Sequence, residues 1–100
     1  MDDNINERGY MAFASSMLRQ AVKDMRREGS PSWSESVEAT AWLGSKKASL
    51  WFDAVGLEQE VALLKLNWID DAQNILDKKE SCLSDDQRRV IIDSLNYLVK

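Results

Sequence analysis

The chain has 100 residues, of which 44% are hydrophobic and 30% charged, and its formal net charge is −4. This length and composition predict a single soluble domain over residues 1–100, large enough for one hydrophobic core. Residues 51–100 hold the whole acidic excess, which argues against DNA binding through bulk positive charge, so we expect no direct contact with nucleic acid.

The residue types that build most catalytic and metal sites are missing or rare. The chain has no histidine, which removes the commonest general base and a common zinc ligand. Its one cysteine, Cys82, cannot form an internal disulfide, and the four glycines are too scattered for a phosphate-binding loop. We therefore expect no enzyme, no catalytic residue, no metal and no cofactor.

The start of the chain, MDDNINERG, is acidic and polar and lacks the pattern of a signal peptide. No apolar run approaches the roughly 18–20 residues that span a bilayer. The single cysteine fits a reducing compartment. These features predict a cytoplasmic protein with no membrane partner.

The first predicted helix begins near Asn6, after residues 1–6, which we expect to be frayed. Gly29 is a typical residue just beyond a helix end and Pro31 prevents continuation, so residues 29–34 are expected to form a connector. Apolar residues recur at helical spacing along this segment: Tyr10, Phe13, Ala14, Met17, Leu18, Ala21, Val22 and Met25.

Two features of this first segment have alternative interpretations. Trp33 in the connector is either a lid over the core or an exposed anchor for a partner. A basic stripe at spacing i, i+4, i+7, i+8 is either a solvated face that complements the helix dipole or a contact for an acidic partner. The stripe consists of Arg19, Lys23, Arg26 and Arg27.

Two short helices are predicted next. The first runs from an N-cap at Ser34 to Gly44, and the second from an N-cap at Ser45 to Gly56. The second helix is apolar around most of its circumference, so we expect it to be buried and place the centre of the fold here. Its large apolar residues are Leu50, Trp51, Phe52 and Val55.

The longest predicted helix is continuous from Leu57 to about Lys79, with apolar residues at helical spacing throughout. Its carboxylates either form a solvated face or offer an acidic patch to a partner rich in Arg and Lys. These residues are Glu58 and Glu60 near its start and Asp70, Asp71 and Asp77 further along.

A capping box formed by Ser84 and Gln87 predicts the start of a last helix that runs close to Lys100. Cys82, just before it, is interpreted as a small core or loop residue rather than a reactive thiol. No stretch alternates with period two as a strand does. The prediction is an all-α, single-domain bundle of three longer and two short helices.

One part of the chain resembles a known pattern. The segments EATAWLGS, residues 38–45, and LWFDAVGL, residues 50–57, resemble a pattern in small proteins encoded by bacterial phages and prophages. In those proteins A-x-x-W-L-x-S is followed by a short aromatic helix and an A-G-[IL]-D-P turn. The similarity covers about a third of the chain, and here Glu58 and Gln59 replace the Asp-Pro pair.

Among phage proteins of this size, the chain resembles the anti-CRISPR proteins that inhibit a type I-F surveillance complex. The resemblance implies binding to subunits of that RNA-guided complex, loss of target DNA capture, and a location in the cytoplasm of the infected bacterial host. It transfers no functional residue. It is compatible with a monomer or a small homo-oligomer.

The predicted contacts follow from local acidity and exposed aromatic residues, because surfaces that grip nucleic acid are basic. The residues predicted to bind the partner are Trp33, Glu58, Glu60, Asp70, Asp71 and Asp77, with Tyr10 as another possible apolar anchor.

Two further functions remain open from the sequence. Two short helices joined at Gly44 can form a helix-turn-helix-like DNA-binding regulator, although Leu50 and Trp51 stand where a recognition helix needs polar residues. The bulky apolar residues, including Trp68 and those of the terminal helix, can instead leave one face uncovered for self-association, as in a phage structural or assembly protein that works as an oligomer.

Overall fold

Helices form all the regular structure in the part of the chain that the computed structural model describes, residues 2–29 and 31–99, with side chains for 9–29, 31–79 and 81–99. The predicted all-α class is confirmed. The helices are α1 (Asp2–Met25), α2 (Trp33–Leu43), α3 (Lys46–Ala54), α4 (Gln59–Lys65), α5 (Trp68–Lys78) and α6 (Asp85–Leu98), with one 3₁₀ turn (Glu80–Cys82) before α6.

The first helix starts earlier than expected. Residues 2–6, predicted to be frayed, are helical, and α1 begins at Asp2 instead of near Asn6. Met1 lies outside the described residues.

The same helix also ends earlier than expected, at Met25 and not at Gly29. Arg27 takes the left-handed backbone conformation, with φ of 59°. The N–H of Glu28 then bonds to the carbonyl of Lys23 at 2.9 Å. This is a Schellman motif, which usually has glycine at the left-handed position. Here an arginine occupies that position. A prediction that relies on the next glycine in the sequence therefore places the helix end too late.

Ser32, and not Ser34, is the N-cap of α2. Its hydroxyl accepts a hydrogen bond of 3.1 Å from a backbone N–H in the first turn. Trp33 is therefore the first residue of α2 and does not belong to the connector, which covers residues 26–32. Ser30, within the predicted connector, is outside the described part.

The predicted boundaries of the two short helices are otherwise confirmed. Gly44 is the C-cap of α2, and Ser45 caps α3 by accepting a hydrogen bond of 3.3 Å from the N–H of Ala48. Gly56 follows the end of α3 with φ of 75°, a conformation that glycine adopts without strain.

The predicted continuous helix over residues 57–79 is wrong. It breaks at Asn67, whose φ of 57° is left-handed, so α4 ends at Lys65 and α5 begins at Trp68. Because of this turn, the described part of the chain has six α-helices where five helices were predicted. Leu63 before the turn and Trp68 after it are both buried in the core.

The predicted start of the last helix is confirmed. Ser84 and Gln87 form a complete capping box, with hydrogen bonds of 2.9 and 3.1 Å, and α6 ends at Leu98. Cys82 lies in the 3₁₀ turn and its side chain is exposed, so it is a loop residue and not a core residue.

The centre of the fold is α2, which contacts α1, α3, α5, α6 and the 3₁₀ turn. The fully buried Trp68 packs beside it and donates its indole N–H to the carbonyl of Thr40 at 2.9 Å. The same ring lies against Gly44, where an added Cβ would be 2.9 Å from Cζ2. Other fully or nearly fully buried core residues are Val37, Leu43, Phe52, Ile75 and Ile91.

The third helix is less buried than predicted. Ala48 and Phe52 enter the core, but Leu50 is 68% exposed and Trp51 is half-buried. One face of α3 therefore packs against the rest of the protein, and its opposite face meets solvent.

Candidate binding groove

A groove of about 1040 Å³ lies between the second half of α2, α3, the start of α4 and one face of α6. Its apolar floor includes the half-buried side chain of Trp42. The other apolar residues of the floor are Ala41, Leu63, Val90 and Leu98.

The rim of this groove is acidic. Among the described residues, six carboxylates and two lysines line it, so these side chains carry a formal charge of −4. The lysines, Lys46 and Lys47, both lie in the first turn of α3. The carboxylates are Glu38, Asp53, Glu58, Glu60, Asp86 and Asp93.

Side-chain hydrogen bonds tie the helices around the groove to one another. The amide nitrogen of Gln59 donates to the carbonyls of Leu43, at 2.8 Å, and Ser45, at 2.9 Å, and so fixes the start of α4 to the α2–α3 corner. The hydroxyl of Ser94 donates to the carbonyl of Gly44 at 2.8 Å and fixes α6 to the same corner. These three hydrogen bonds connect α2, α4 and α6, whose residues line the groove.

A fourth side-chain hydrogen bond joins α6 to α4. The hydroxyl of Tyr97 donates to a carboxylate oxygen of Glu60 at 2.6 Å. This hydrogen bond, together with the negative charge of Glu60, raises the pKa of Tyr97 above its ordinary value. The shift means that the hydrogen bond to Glu60 favours the protonated form of the phenol.

The structure divides the predicted acidic contacts into two groups. Glu58 and Glu60 line the groove, whereas Asp70, Asp71 and Asp77 lie on α5, and no described residue of α5 lines it. The break at Asn67 separates the two groups, because it turns α5 away from the direction of α4.

Asp71 differs from its exposed neighbours. Its side chain is half-buried, and this burial raises the pKa of its carboxyl group above the ordinary value. The positive charge of Arg26 opposes the shift, and the negative charge of Asp70 adds to it. Asp71 is therefore partly shielded from solvent, close enough to Arg26 for the two charges to interact.

The indole of Trp33 lies between two cations. The guanidinium carbon of Arg27 is 4.2 Å from the ring centroid and the Lys79 ammonium 4.8 Å. Trp33 is half-buried, and both cations form cation–π contacts with its ring. It neither covers the main core nor stands free as an anchor.

The predicted basic stripe is not one continuous helical face. Arg19 and Lys23 lie exposed on α1, but Arg26 and Arg27 follow its end. The Nη2 of Arg26 donates to the carbonyl of Leu66 at 3.1 Å, and that of Arg27 donates to a carbonyl in the connector. Two of the four cations therefore have contacts within the chain.

Tyr10 is exposed, but it is not part of the groove. Its ring stacks on that of Trp51 with centroids 6.3 Å apart, and Phe13 contacts the same indole at 5.5 Å. Tyr10 and Phe13 are 55% and 54% exposed. They form an aromatic cluster on the outer face of α1 and α3.

Most of the groove's carboxylates were not recognised as contacts from the sequence. Glu38, Asp53, Asp86 and Asp93 belong to three different helices, and only the packing brings them together. One signal was present: Asp86, Val90, Asp93 and Tyr97 follow at i, i+4, i+7 and i+11, which places them on one face of α6.

The described residues contain no group of three or more His, Cys, Asp or Glu side chains able to hold a metal ion. Within the same part of the chain, none of the helices combines the length and apolar character needed to cross a membrane.

Comparison with known proteins gives no family. No family model matches this chain, and neither a curated protein nor a solved structure matches it. The resemblance of residues 38–57 to phage proteins therefore stays a prediction, and function has to be argued from the groove.

Proposed function

We propose that this chain is an interaction protein that binds a basic surface of a partner protein through its acidic groove. The observation that carries the proposal is the ring of six carboxylates around an apolar floor. No catalytic step is part of the proposal, because the chain acts by occupying a surface.

The groove has the composition of a protein–protein interface. An apolar centre with a polar rim is the usual arrangement of such surfaces. Carboxylates beside an apolar floor form charge-assisted hydrogen bonds with arginine or lysine, and these are about twice as strong as neutral ones. The hydrogen bonds of Gln59 and Ser94 fix the walls in advance, which lowers the entropic cost of binding.

The target that we propose is a type I-F CRISPR surveillance complex in the cytoplasm of an infected bacterial host. The support is the resemblance of residues 38–57 to phage proteins, together with the acidity of the groove. RNA-guided complexes hold nucleic acid in positively charged channels. An acidic protein bound over such basic residues would prevent the capture of target DNA.

The groove argues against the alternative of a DNA-binding regulator. Lys46 and Lys47 are the basic residues at the start of α3, and both share the groove with carboxylates. A DNA phosphate that approached them would meet these negative charges. The exposed face of α3 presents Leu50, which makes no hydrogen bond to a base edge.

Plaque formation by a CRISPR-targeted phage tests the proposal. We expect a type I-F host that expresses this protein to allow plaques, and expression to change nothing in a matched host that lacks the CRISPR system. Charge reversal in the groove, by Glu58→Lys or Asp86→Lys, should abolish the effect. Asp77→Lys is the matched control, because Asp77 is an exposed carboxylate outside the groove.

Two results would overturn this function. One is the absence of plaques although the protein is well expressed and soluble. The other is full activity of both groove variants, which would remove the groove from the mechanism.

A further inference from the structure

One face of α6 runs along the groove. Asp86, Val90, Asp93 and Tyr97 all line it, and at about 1.5 Å per residue this face is about 16 Å long. An α-helix of about three turns has the same length, because it rises about 5.4 Å per turn.

The carboxylates reach the apolar floor from separate helices. Asp86 and Asp93 belong to α6, whereas Asp53 lies near the end of α3 and Glu58 directly precedes α4. A ligand with an apolar stripe between two rows of cations matches this arrangement. An amphipathic helix with apolar residues at i, i+3, i+4 and i+7 has that form.

An extended peptide fits the groove less well. Its backbone N–H and C=O groups would need partners, and extended peptides usually obtain them by joining the edge of a sheet. The described chain has no strand to extend. The amide nitrogen of Gln59 and the hydroxyl of Ser94 already donate within the protein. A helix forms hydrogen bonds between its own backbone N–H and C=O groups, so binding leaves few of them without a partner.

We propose that the groove binds a basic amphipathic α-helix of the partner. The apolar side chains of that helix pack on Trp42 and Leu63. Its Lys and Arg side chains pair with Glu58 on one flank and with Asp86 and Asp93 on α6. The biological partner rests on the proposed function, whereas the recognition of a helix rests on the shape and charge of the groove.

Two synthetic peptides of about 14 residues test the inference. Both contain the same leucine and lysine residues, in one arranged with helical periodicity and in the other in strict alternation. Short isolated peptides are mostly unfolded in water, so helix formation on binding is visible by circular dichroism. We expect the helical pattern to bind at least about tenfold more tightly in titration calorimetry and to gain helicity on mixing.

Variants of this protein locate the site. Asp93→Lys on α6 and Glu58→Lys on α4 should each weaken binding of the helical peptide by about tenfold, while Asp77→Lys leaves it unchanged. Unfolding curves of the variants show whether they remain folded. Two positions are used so that the test still works if one variant fails to fold. Equal affinity for the two peptides, or binding without a gain of helicity, would overturn the inference.

A pull-down of purified type I-F complex separates this inference from the proposed function. Capture of the complex through the groove, with equal binding of both peptides, would leave the function standing and remove helix recognition. Selective binding of the helical peptide, with no capture of the complex, would remove the CRISPR target and leave helix recognition standing.

Discussion

Gly44 is a single position at which three helices meet. Gly44 is the C-cap of α2, and its carbonyl accepts a hydrogen bond from the hydroxyl of Ser94 on α6. The ring of Trp68 on α5 lies against its Cα. Its φ of −89° is open to any residue, so space and not backbone conformation requires glycine here.

Gly44→Ala should destabilise the protein by about 1–3 kcal/mol, the usual cost of forcing extra volume into a packed core. The new methyl group would lie 2.9 Å from Cζ2 of Trp68 and 3.0 Å from Oγ of Ser94. Urea unfolding followed by circular dichroism measures the loss.

Gly9→Ala is the matched control, because an added Cβ at Gly9 has no neighbour within 4 Å. This change should stabilise α1 by about 0.5–1 kcal/mol, since alanine loses less backbone entropy than glycine in a helix. Equal changes in the free energy of unfolding for the two substitutions would show that the contact with Trp68 does not require glycine at position 44.

Asp71 gives a prediction about pH. Burial raises its pKa in the folded state above 3.8, so the folded protein holds the proton more tightly than the unfolded chain. The stability that this provides is present below pH 3.8 and is lost as pH rises through the folded pKa. Asp71→Asn should therefore be more stable than the natural protein at neutral pH, with the difference closing in acid. Thermal unfolding measured from acid to neutral pH tests this difference. A lower stability of the asparagine variant at neutral pH would contradict the prediction.

At the scale of helices, the sequence predicts ends that depend on a local chemical pattern. Ser45 and Ser84 are N-caps as predicted, and Gly44 ends α2. The ends that were missed, at Arg27 and Asn67, use left-handed residues other than glycine. Neither position carries the glycine that usually marks such a turn in a sequence, and periodicity does not reveal it.

The turn at Asn67 can be tested by substitution. Asn67→Val should lose about 1–2 kcal/mol, because a β-branched residue is strained at a φ of 57°. Asn67→Gly should stay close to the natural protein, since glycine adopts this conformation freely but loses more entropy on folding. Denaturant midpoints of the three proteins measure both effects. A valine variant of undiminished stability would mean that the turn can relax into a continuous helix.

At the scale of the whole molecule, the groove is a product of packing. Glu58 and Glu60 were predicted as contacts from local acidity alone, and both line it. Glu38, Asp53 and Asp93 join them only after α2, α3 and α6 have packed, and no spacing along the chain encodes that meeting. The all-α class was therefore predictable, and the site was predictable only in part.

Binding in an acidic groove should depend on salt. The affinity for the basic helical peptide should fall by several-fold or more between about 0.1 and 1 M salt, because the screening length shortens from about 10 to 3 Å. Contact with the apolar floor should leave residual affinity at high salt. Calorimetric titrations would contradict charge recognition if the affinity were indifferent to salt.

The aromatic cluster implies that α1 is held unevenly along its length. Ala14, Leu18 and Met25 are buried, whereas Tyr10 and Phe13 hold the preceding turns mainly through the ring of Trp51. Ring contacts of this kind contribute only about 0.5–1.5 kcal/mol each. The amide protons of residues 9–13 should therefore exchange with deuterium well before those beyond Leu18, which open only with the core. Trp51→Ala should release the first turns to the solvent and leave the protection of the later ones intact.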